Sequence, residues 1–537
     1  MLFKGFIITI FLYFIANYFS LFDSYKNKFI ISSKNNNNNS NLSWKERQQL
    51  VKNVMKESWA GYEKYAWGKD VYHPVSKNGE NMGDQPLGWI IVDSLDTLMI
   101  MDLKDELKLA RSWVKNELTY DVDMYVNTFE TTIRMLGGLL SAYYLSDDDV
   151  YIDKATDLAN RLMGAFESDS GIPFSSVNLQ SKKGLISHAD SGASSTAEVS
   201  TLQLEFKYLS KLTGEKIYWE KVEHVMHILD NNKPKDGLVP IFIQPTTGKY
   251  QGKLIRLGSR GDSYYEYLLK QYIQTGLQED NYIQMYQESV NGIKKNLVKN
   301  SKPNDLTFIG ELNNGVDGDL SNKMDHLVCF MGGLLALGTT FGEDLNEYKK
   351  KPNSIWTSSK ESDLKLAKEL THTCYQMYHQ IKETGLSPEI VVFNTDERSD
   401  NDFFIKQMDK HNLQRPETVE SLFVLYRITK DPIYREYGWE IFNNFINYTK
   451  VEGDAGYSSL NDVTKIPVSF RDNMESFWFA ETLKYLYLLF DDNEDVLPLD
   501  KVVFNTEAHP LPIFDMGEQF KTGWKRGDAV VKPTQEI

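Results

Sequence analysis

The chain has 537 residues, of which 41% are hydrophobic and 13% aromatic, enough for a large core and too many for global disorder. Its formal net charge of −16 at pH 7 argues against a nucleic-acid binder, which needs basic surface. An acidic cleft that tolerates cations and a solvated acidic surface both agree with that charge.

Residues 5–22 form an uncharged, mostly apolar run of Ile, Phe, Leu and Tyr, close to the roughly 17–25 residues of a membrane span. No small-x-small cleavage site follows it, so an uncleaved signal anchor is expected, with residues 1–4 as a short cytoplasmic tail. Residues 23–43 include the run Asn35 to Asn39 and read as a polar stem. Sequons at Asn38, Asn41 and Asn447 agree with a lumenal body. Cys329 and Cys374 are either two separate buried thiols or, in a lumen, a pair.

From residue 44 the texture is helical. Strand-like runs are rare, with Gly237 to Ile243 and Ile390 to Asn394 as short candidates. One helix type recurs, with a polar or acidic opening followed by a strongly apolar run. It appears at Asp93 to Met101, Glu130 to Tyr144, Ala197 to Leu209, Asp262 to Tyr272, Asp325 to Leu337, Glu417 to Tyr426 and Glu475 to Phe490. Between these lie amphipathic segments such as Ser362 to Lys382. Buried helices alternating with half-exposed ones predict two concentric layers, an all-α toroid of seven helical hairpins in one domain.

The polar groups of the buried helices gather at their N-terminal ends. Glu130 and Arg134 are four apart, as are Asp262 and Glu266, with Arg260 just ahead. His326 follows Asp325, Phe477 and Glu481 share a face, and Arg415 precedes Glu417 and Glu420 in a helix that Pro416 opens. A single helix start of this kind only complements the helix dipole. Repeated around a toroid whose inner helices run the same way, such starts converge on one mouth lined by carboxylates, arginines and aromatics. That lining suits a sugar, and glycoside hydrolysis needs one carboxylic acid and one carboxylate. Near the end, Thr506 offers a hydroxyl and a carbonyl oxygen of the kind a hard cation accepts.

The motifs Phe129-Glu130-Thr131-Thr132-Ile133-Arg134, Arg260-Gly261-Asp262-Ser263-Tyr264-Tyr265-Glu266-Tyr267, Met324-Asp325-His326-Leu327, Arg415-Pro416-Glu417-Thr418 and Phe504-Asn505-Thr506-Glu507-Ala508-His509-Pro510 resemble, in order, those of class I α1,2-mannosidases, glycoside hydrolase family 47. The resemblance implies an (α/α)7 barrel over residues 44–512 plugged by a small β-hairpin, leaving residues 513–537 as a C-terminal tail without an assigned role. It implies removal of terminal α1,2-linked mannose from high-mannose N-glycans, with inversion and one calcium ion (Ca2+), in N-glycan processing and glycoprotein quality control within the ER or Golgi. Carried over by motif, Glu130 resembles the general acid acting through a water, Glu417 the base, and Asp262 a third essential carboxylate, with the acid and base roles open among the three. Thr506 resembles the residue that gives calcium its hydroxyl and carbonyl oxygens. Glu198, Glu266, Glu420, Glu481 and Glu507 form an acidic wall, Arg134, Arg260, His326 and Arg415 a polar one, and Phe477 a stacking platform. Cys329 and Cys374 stand where processing members have their disulfide.

A lectin-like, weakly catalytic mannose-binding factor on the same barrel is the competing reading. The complete set Glu130, Asp262, Glu417 and Thr506 favours the enzyme. Other toroid enzymes, glucoamylase-like or prenyl-chain, lack the Asn505-Thr506-Glu507 turn.

Overall fold

The computed structural model describes residues 42–352 and 356–530. The anchor and nearly all of the stem expected in residues 1–43 lie outside the described residues. Among the described residues no helix is long and apolar enough to cross a membrane.

Ser43 opens the first helix, Trp44–Ala66, with a reciprocal cap: its Oγ accepts from Glu46 N (3.3 Å) and its own N–H donates to Glu46 Oε2 (2.7 Å). That helix joins an outer layer with Lys104–Asn116, Asp149–Leu162, Lys216–Asn231, Asp280–Asn296, Ser358–His379 and Ile433–Tyr448. Their apolar faces are narrow; Lys104–Asn116 buries Ala110, Trp113 and Val114. The inner layer begins with Trp89–Asp93 and Leu95–Ile100, then Thr128–Thr131 running through the π-helical turn Thr132–Leu136 into Gly137–Ser146. It continues with Thr196–Val199 and Gln203–Thr213, Asp262–Gln274, the 3-10 turn His326–Cys329 leading into Phe330–Thr340, Glu417–Thr429, and the π-helical Trp478–Thr482 leading into Leu483–Leu489. Each inner element packs on its neighbours in chain order and the last meets the first, so the ring closes. Each also packs on the outer helix that follows it, and the last packs on Trp44–Ala66. This is the expected all-α (α/α)7 barrel.

Inner helices are buried almost all round; Phe330–Thr340 is buried at every residue but Gly338. Close packing there needs small residues. A Cβ on Gly332 would lie 2.1 Å from Thr371 Oγ1, and the N–H of Gly333 donates to Ser421 Oγ (2.7 Å). The Cys329–Cys374 disulfide (Cα–Cα 5.8 Å) ties the same inner segment to the outer helix Ser358–His379.

Strands are more numerous than their faint sequence signal. The described residues carry several antiparallel sheets of two or three strands, in the connections between helices. Phe242–Ile243 pairs with Ser194–Ser195 and Tyr250–Gln251, and Ile390–Phe393 with Lys323–Asp325 and Phe403–Phe404. At two to four residues each, such strands are too short to show an alternation. Three of them, Tyr125–Asn127, Ser194–Ser195 and Lys323–Asp325, deliver the chain directly into an inner helix at the mouth.

The plug is the hairpin Val502–Phe504 with Pro510–Pro512, in the register Val503 to Leu511. Its turn reaches into the barrel core. Asn505 Nδ2 donates to Ile133 O (2.9 Å) and Glu205 Oε1 (2.8 Å), where Gly137 leaves room: a Cβ there would sit 2.6 Å from Asn505 Nδ2. The fully buried His509 ring meets Asp96 through Nδ1 (2.8 Å) and Asp93 through Nε2 (3.0 Å), and Lys484 Nζ pairs with Asp96 (2.9 Å).

Beyond the barrel the chain is not a loose tail. Residues 513–530 form a strap across the outer helices Lys216–Asn231 and Asp280–Asn296. Phe520 packs on Trp219, Trp524 stacks on His227 (5.0 Å), and Trp524 Nε1 donates to Glu223 Oε2 (3.0 Å). Thr522 Oγ1 donates to Glu279, and Arg526 pairs with Asp230 and Glu288. Beneath it, the fully buried Lys207 pairs with Glu223 and Glu279.

Replacing His509 with alanine would leave Asp93 and Asp96 buried without their shared partner. Loss of about 3–5 kcal/mol of stability is expected, read from the midpoint of chemical denaturation; a shift worth under about 1 kcal/mol would show that the plug is held otherwise.

Candidate active site

The inner-helix starts open into one cleft of about 280 Å³, lined by Glu130, Arg134, Glu198, Arg260, Asp262, Glu266, Arg415, Glu417, Glu420, Phe477, Glu481, Thr506 and Glu507 among others. Of the residues singled out from the sequence as site residues, His326 alone stands behind the wall. It is buried and reaches the cleft through Glu417.

Local capping sets two of the acids. Asn127 Oδ1 accepts from Glu130 N (2.8 Å) and Ser195 Oγ from Glu198 N (3.3 Å), so both glutamates occupy the third position of a short capped helix. In a capping box the glutamate folds back on its cap. Here the Glu130 carboxylate takes Arg134 instead, whose Nε donates to Oε2 (2.9 Å). Arg134 lies in the π-helical turn Thr132–Leu136, and Glu481 in the π-helical turn Trp478–Thr482. Single π turns re-aim side chains within a helix and recur at functional sites.

Arg134 is the hub of the wall. Its Nη1 donates to Ser476 Oγ (3.0 Å), pairs with Glu507, and lies 3.5 Å from Asp93, which also meets the plug through His509. Its guanidinium lies 5.5 Å from the Trp89 ring centre and 5.7 Å from that of Phe477, and Arg415 lies 5.6 Å from the latter. Arg415 Nε donates to Glu389 Oε2 (2.7 Å), and its Nη1 is 4.0 Å from Glu417 Oε1. Arg260 pairs with Asp190 and covers Phe242. Pro416 sits one residue earlier than a first helical position: the helix begins at Glu417, with the Pro416 carbonyl accepting from Glu420 N (2.8 Å).

The carboxyls differ sharply in environment. Burial pushes Asp262 up to about 7, and the charges of Glu266, Glu417 and Asp325 add to it against a hydrogen bond from Ser263 N. Burial likewise raises Glu198 to about 7, with Glu130 adding like charge. Glu417 is the opposite case. Burial alone would raise it, but the hydrogen bond from His326 and the charge of Arg415 hold it below the usual glutamate value. On the floor, burial raises Glu420, Glu481 and Glu507, with only Lys270 and Arg134 as buried cations against them. Lys270 Nζ donates to Glu266 Oε1 and lies 3.6 Å from Glu420.

Thr506 shares that floor, its N–H donating to Tyr267 Oη (3.4 Å). Among the described residues no three His, Cys, Asp or Glu side chains converge closely enough to ligate one cation directly. Thr506 supplies hydroxyl and carbonyl oxygens beside the floor carboxylates, donors that suit a hard ion. The residues present fit calcium.

Residues 54–513 match the model of glycosyl hydrolase family 47. The chain belongs to this family. It is 61% identical over 533 residues to a mannosyl-oligosaccharide 1,2-alpha-mannosidase of Candida albicans, covering 98% of this chain and 92% of that one. It is 50% identical to the endoplasmic reticulum mannosyl-oligosaccharide 1,2-alpha-mannosidase of Saccharomyces cerevisiae, covering 89% and 93%. The solved alpha-1,2-mannosidase of Trichoderma reesei superposes with a TM-score of 0.76 at 28% identity, covering 87% of this chain and 99% of that one.

Several supporting residues escaped the sequence reading of this family 47 chain: Asp93, Ser476, Lys270, Glu389 and Asp190, each of which pairs with a wall residue from a distant part of the chain. Asn127 and Ser195 were accessible signals, since each stands three residues before a glutamate in an N/S-T-x-E string.

Raised carboxyls give a testable pH dependence. Folded Asp262 and Glu198 keep protons up to about 7, whereas the unfolded chain has lost them by about pH 5. The folded state thus binds more protons across that window, and stability falls as pH rises from 5 to 8. With chelator present, Tm should fall over that interval, and Glu198→Gln should flatten the slope; an unchanged slope in that variant would contradict the assignment.

Proposed function

We propose that this cleft hydrolyses terminal α1,2-linked mannose from high-mannose N-glycans, with inversion and with calcium bound at Thr506. The observation that carries the mechanism is the opposed state of Glu417 and Asp262 within one cleft. Surroundings that drive two carboxyls apart let one site hold an ionised base beside a protonated hydrogen-bond donor. The names of the relatives at 61% and 50% identity support the substrate class.

Glu417, ionised and tied through Oε2 to His326, takes the proton of the attacking water. Glu130, on the more open side of the cleft, passes a proton to the leaving oxygen through a second water. Asp262, raised to about 7, holds a sugar or water oxygen as a donor in its protonated form. Arg134 and Arg415 grip hydroxyls, and Phe477 presents its ring to the apolar face of the pyranose. Thr506 would bind calcium directly, with Glu266, Glu420, Glu481 and Glu507 holding its waters. When bound, the ion supplies Lewis-acid coordination for sugar hydroxyls and lets the floor carboxyls ionise together.

The same reading places the catalytic body in the lumen of the secretory pathway, in the ER or Golgi, as a type II protein held by residues 5–22 and acting in glycan trimming and glycoprotein quality control. The Cys329–Cys374 disulfide agrees with an oxidising compartment, and the yeast relative carries an endoplasmic reticulum name.

Incubation with a high-mannose glycan should release mannose that chelator abolishes, with β-mannose as the first anomer seen by NMR. Binding without release would favour the lectin reading, and α-mannose would overturn inversion. Glu417→Gln should lose at least about a hundred-fold in kcat on every substrate. Glu130→Gln should lose as much on linked mannose and recover on α-mannosyl fluoride, whose leaving group needs no proton; recovery in Asp262→Asn instead would move the acid to Asp262. Thr506→Ala should retain less calcium by mass spectrometry of the native protein, and unchanged metal content would remove Thr506 from the site.

A further inference from the structure

Tyr378 lies on the outer helix Ser358–His379 and does not line the cleft. Its hydroxyl nonetheless reaches through the layer to His326 Nε2 (2.9 Å), where the Thr418 hydroxyl also arrives (3.0 Å). The other ring nitrogen, Nδ1, stands 2.7 Å from Glu417 Oε2. All four residues are buried, with Tyr378 1% and His326 2% exposed, so water does not compete for these bonds.

For a neutral ring the donors and acceptors then settle the tautomer. An ionised carboxylate can only accept, whereas either hydroxyl can donate. The ring proton therefore belongs on Nδ1, pointing at Glu417, with Nε2 accepting from behind. Tyr378 keeps its own proton for that purpose, because burial and the neighbouring charge of Glu417 hold the phenol far above its ordinary value. The covalent frame supports the same contact. Cys329 closes the 3-10 turn that begins with His326, and Cys374 lies one helical turn ahead of Tyr378, so the disulfide joins the two elements that carry the ring and the phenol.

We propose that Tyr378 is a positioning residue for the base: by donating to Nε2 it fixes His326 as the Nδ1–H tautomer, which ties down one oxygen of Glu417 and leaves the other for the attacking water. This rests on Glu417 being the base. The other charged groups that act on Glu417 are Arg415, which favours its ionised form, and Asp262, Glu420 and Glu481, which oppose it. His326 is thus the side-chain hydrogen-bond donor, beside the backbone N–H of Glu417 itself, set against several like charges.

The test uses the intact enzyme with calcium and a high-mannose glycan. Tyr378→Phe should fold with its metal content unchanged, lose about ten-fold or more in kcat as removal of an outer-shell partner does, and keep KM within about two-fold. The acidic limb of its kcat/KM profile should move to higher pH, because the carboxylate has lost its oriented donor. In a His326→Asn background, where a carboxamide N–H can replace Nδ1–H without help from behind, Tyr378→Phe should have no further effect. Wild-type kcat and an unshifted limb in Tyr378→Phe would overturn the proposal, and so would an equal loss in both backgrounds. Should Tyr378→Phe fail to fold, Tyr378→Phe in the His326→Asn background and Thr418→Val alone carry the test: Thr418→Val shifts the limb if hydroxyls behind Nε2 set the tautomer, and an unshifted limb there overturns it. Glu417→Gln with normal turnover would instead overturn the base assignment, so the two failures are separable.

Discussion

The cleft has a floor because His509 bridges Asp93 and Asp96 inside the barrel. Seven inner helices around a closed ring leave a central space that side chains alone do not fill, and the hairpin enters it with a buried imidazole as its anchor. The two aspartates come from the first inner segment, Lys484 from the last, and His509 from the far end of the chain, so one contact closes the ring and seats the plug. Burial of so many charges is tolerable because each has a partner of opposite sign. Thr506 and Glu507 are held at the floor by the same turn.

The second constraint is electrostatic. A cleft walled by Glu198, Asp262, Glu266, Glu417, Glu420, Glu481 and Glu507 repels itself, and the fold answers with few, well-placed cations. Arg134 serves Glu130, Glu507 and Asp93, Lys270 serves Glu266 and Glu420, and Arg415 serves Glu389 and Glu417. The distribution is uneven, and the unevenness is useful. Glu417 receives a guanidinium and an imidazole and stays ionised, while Asp262 receives only the N–H and hydroxyl of Ser263 and keeps a proton up to about 7. Acid and base character thus follow from partner placement more than from residue type.

The outer layer is part of the site in this sense. Asp190 in a mouth loop holds Arg260, Glu389 in a three-stranded-sheet loop holds Arg415, and the disulfide fixes an outer helix against the turn bearing His326. The strap of residues 513–530 acts on two other outer helices, covering Lys207, Glu223 and Glu279 and locking them together.

Periodicity in the sequence was enough to determine the seven buried helices and the half-exposed layer between them, because apolar spacing along a helix is a local property. The acidic helix starts placed Glu130, Asp262 and Glu417 at one mouth for the same reason: once inner helices run parallel, their N-termini must meet. Most of the short strands, Ile390 to Asn394 and the end of Gly237 to Ile243 excepted, were invisible, since two to four residues carry no period. So were the strap's anchors, single aromatics at Phe520 and Trp524 within a polar stretch. Only the tertiary structure decided which carboxyl is ionised, which cation answers it, and that His326 stands behind Glu417 and not on the wall. Those properties depend on burial and on partners tens to hundreds of residues away, such as Arg134 with Glu507 or His509 with Asp93, and no local pattern encodes a contact between two distant points of the chain.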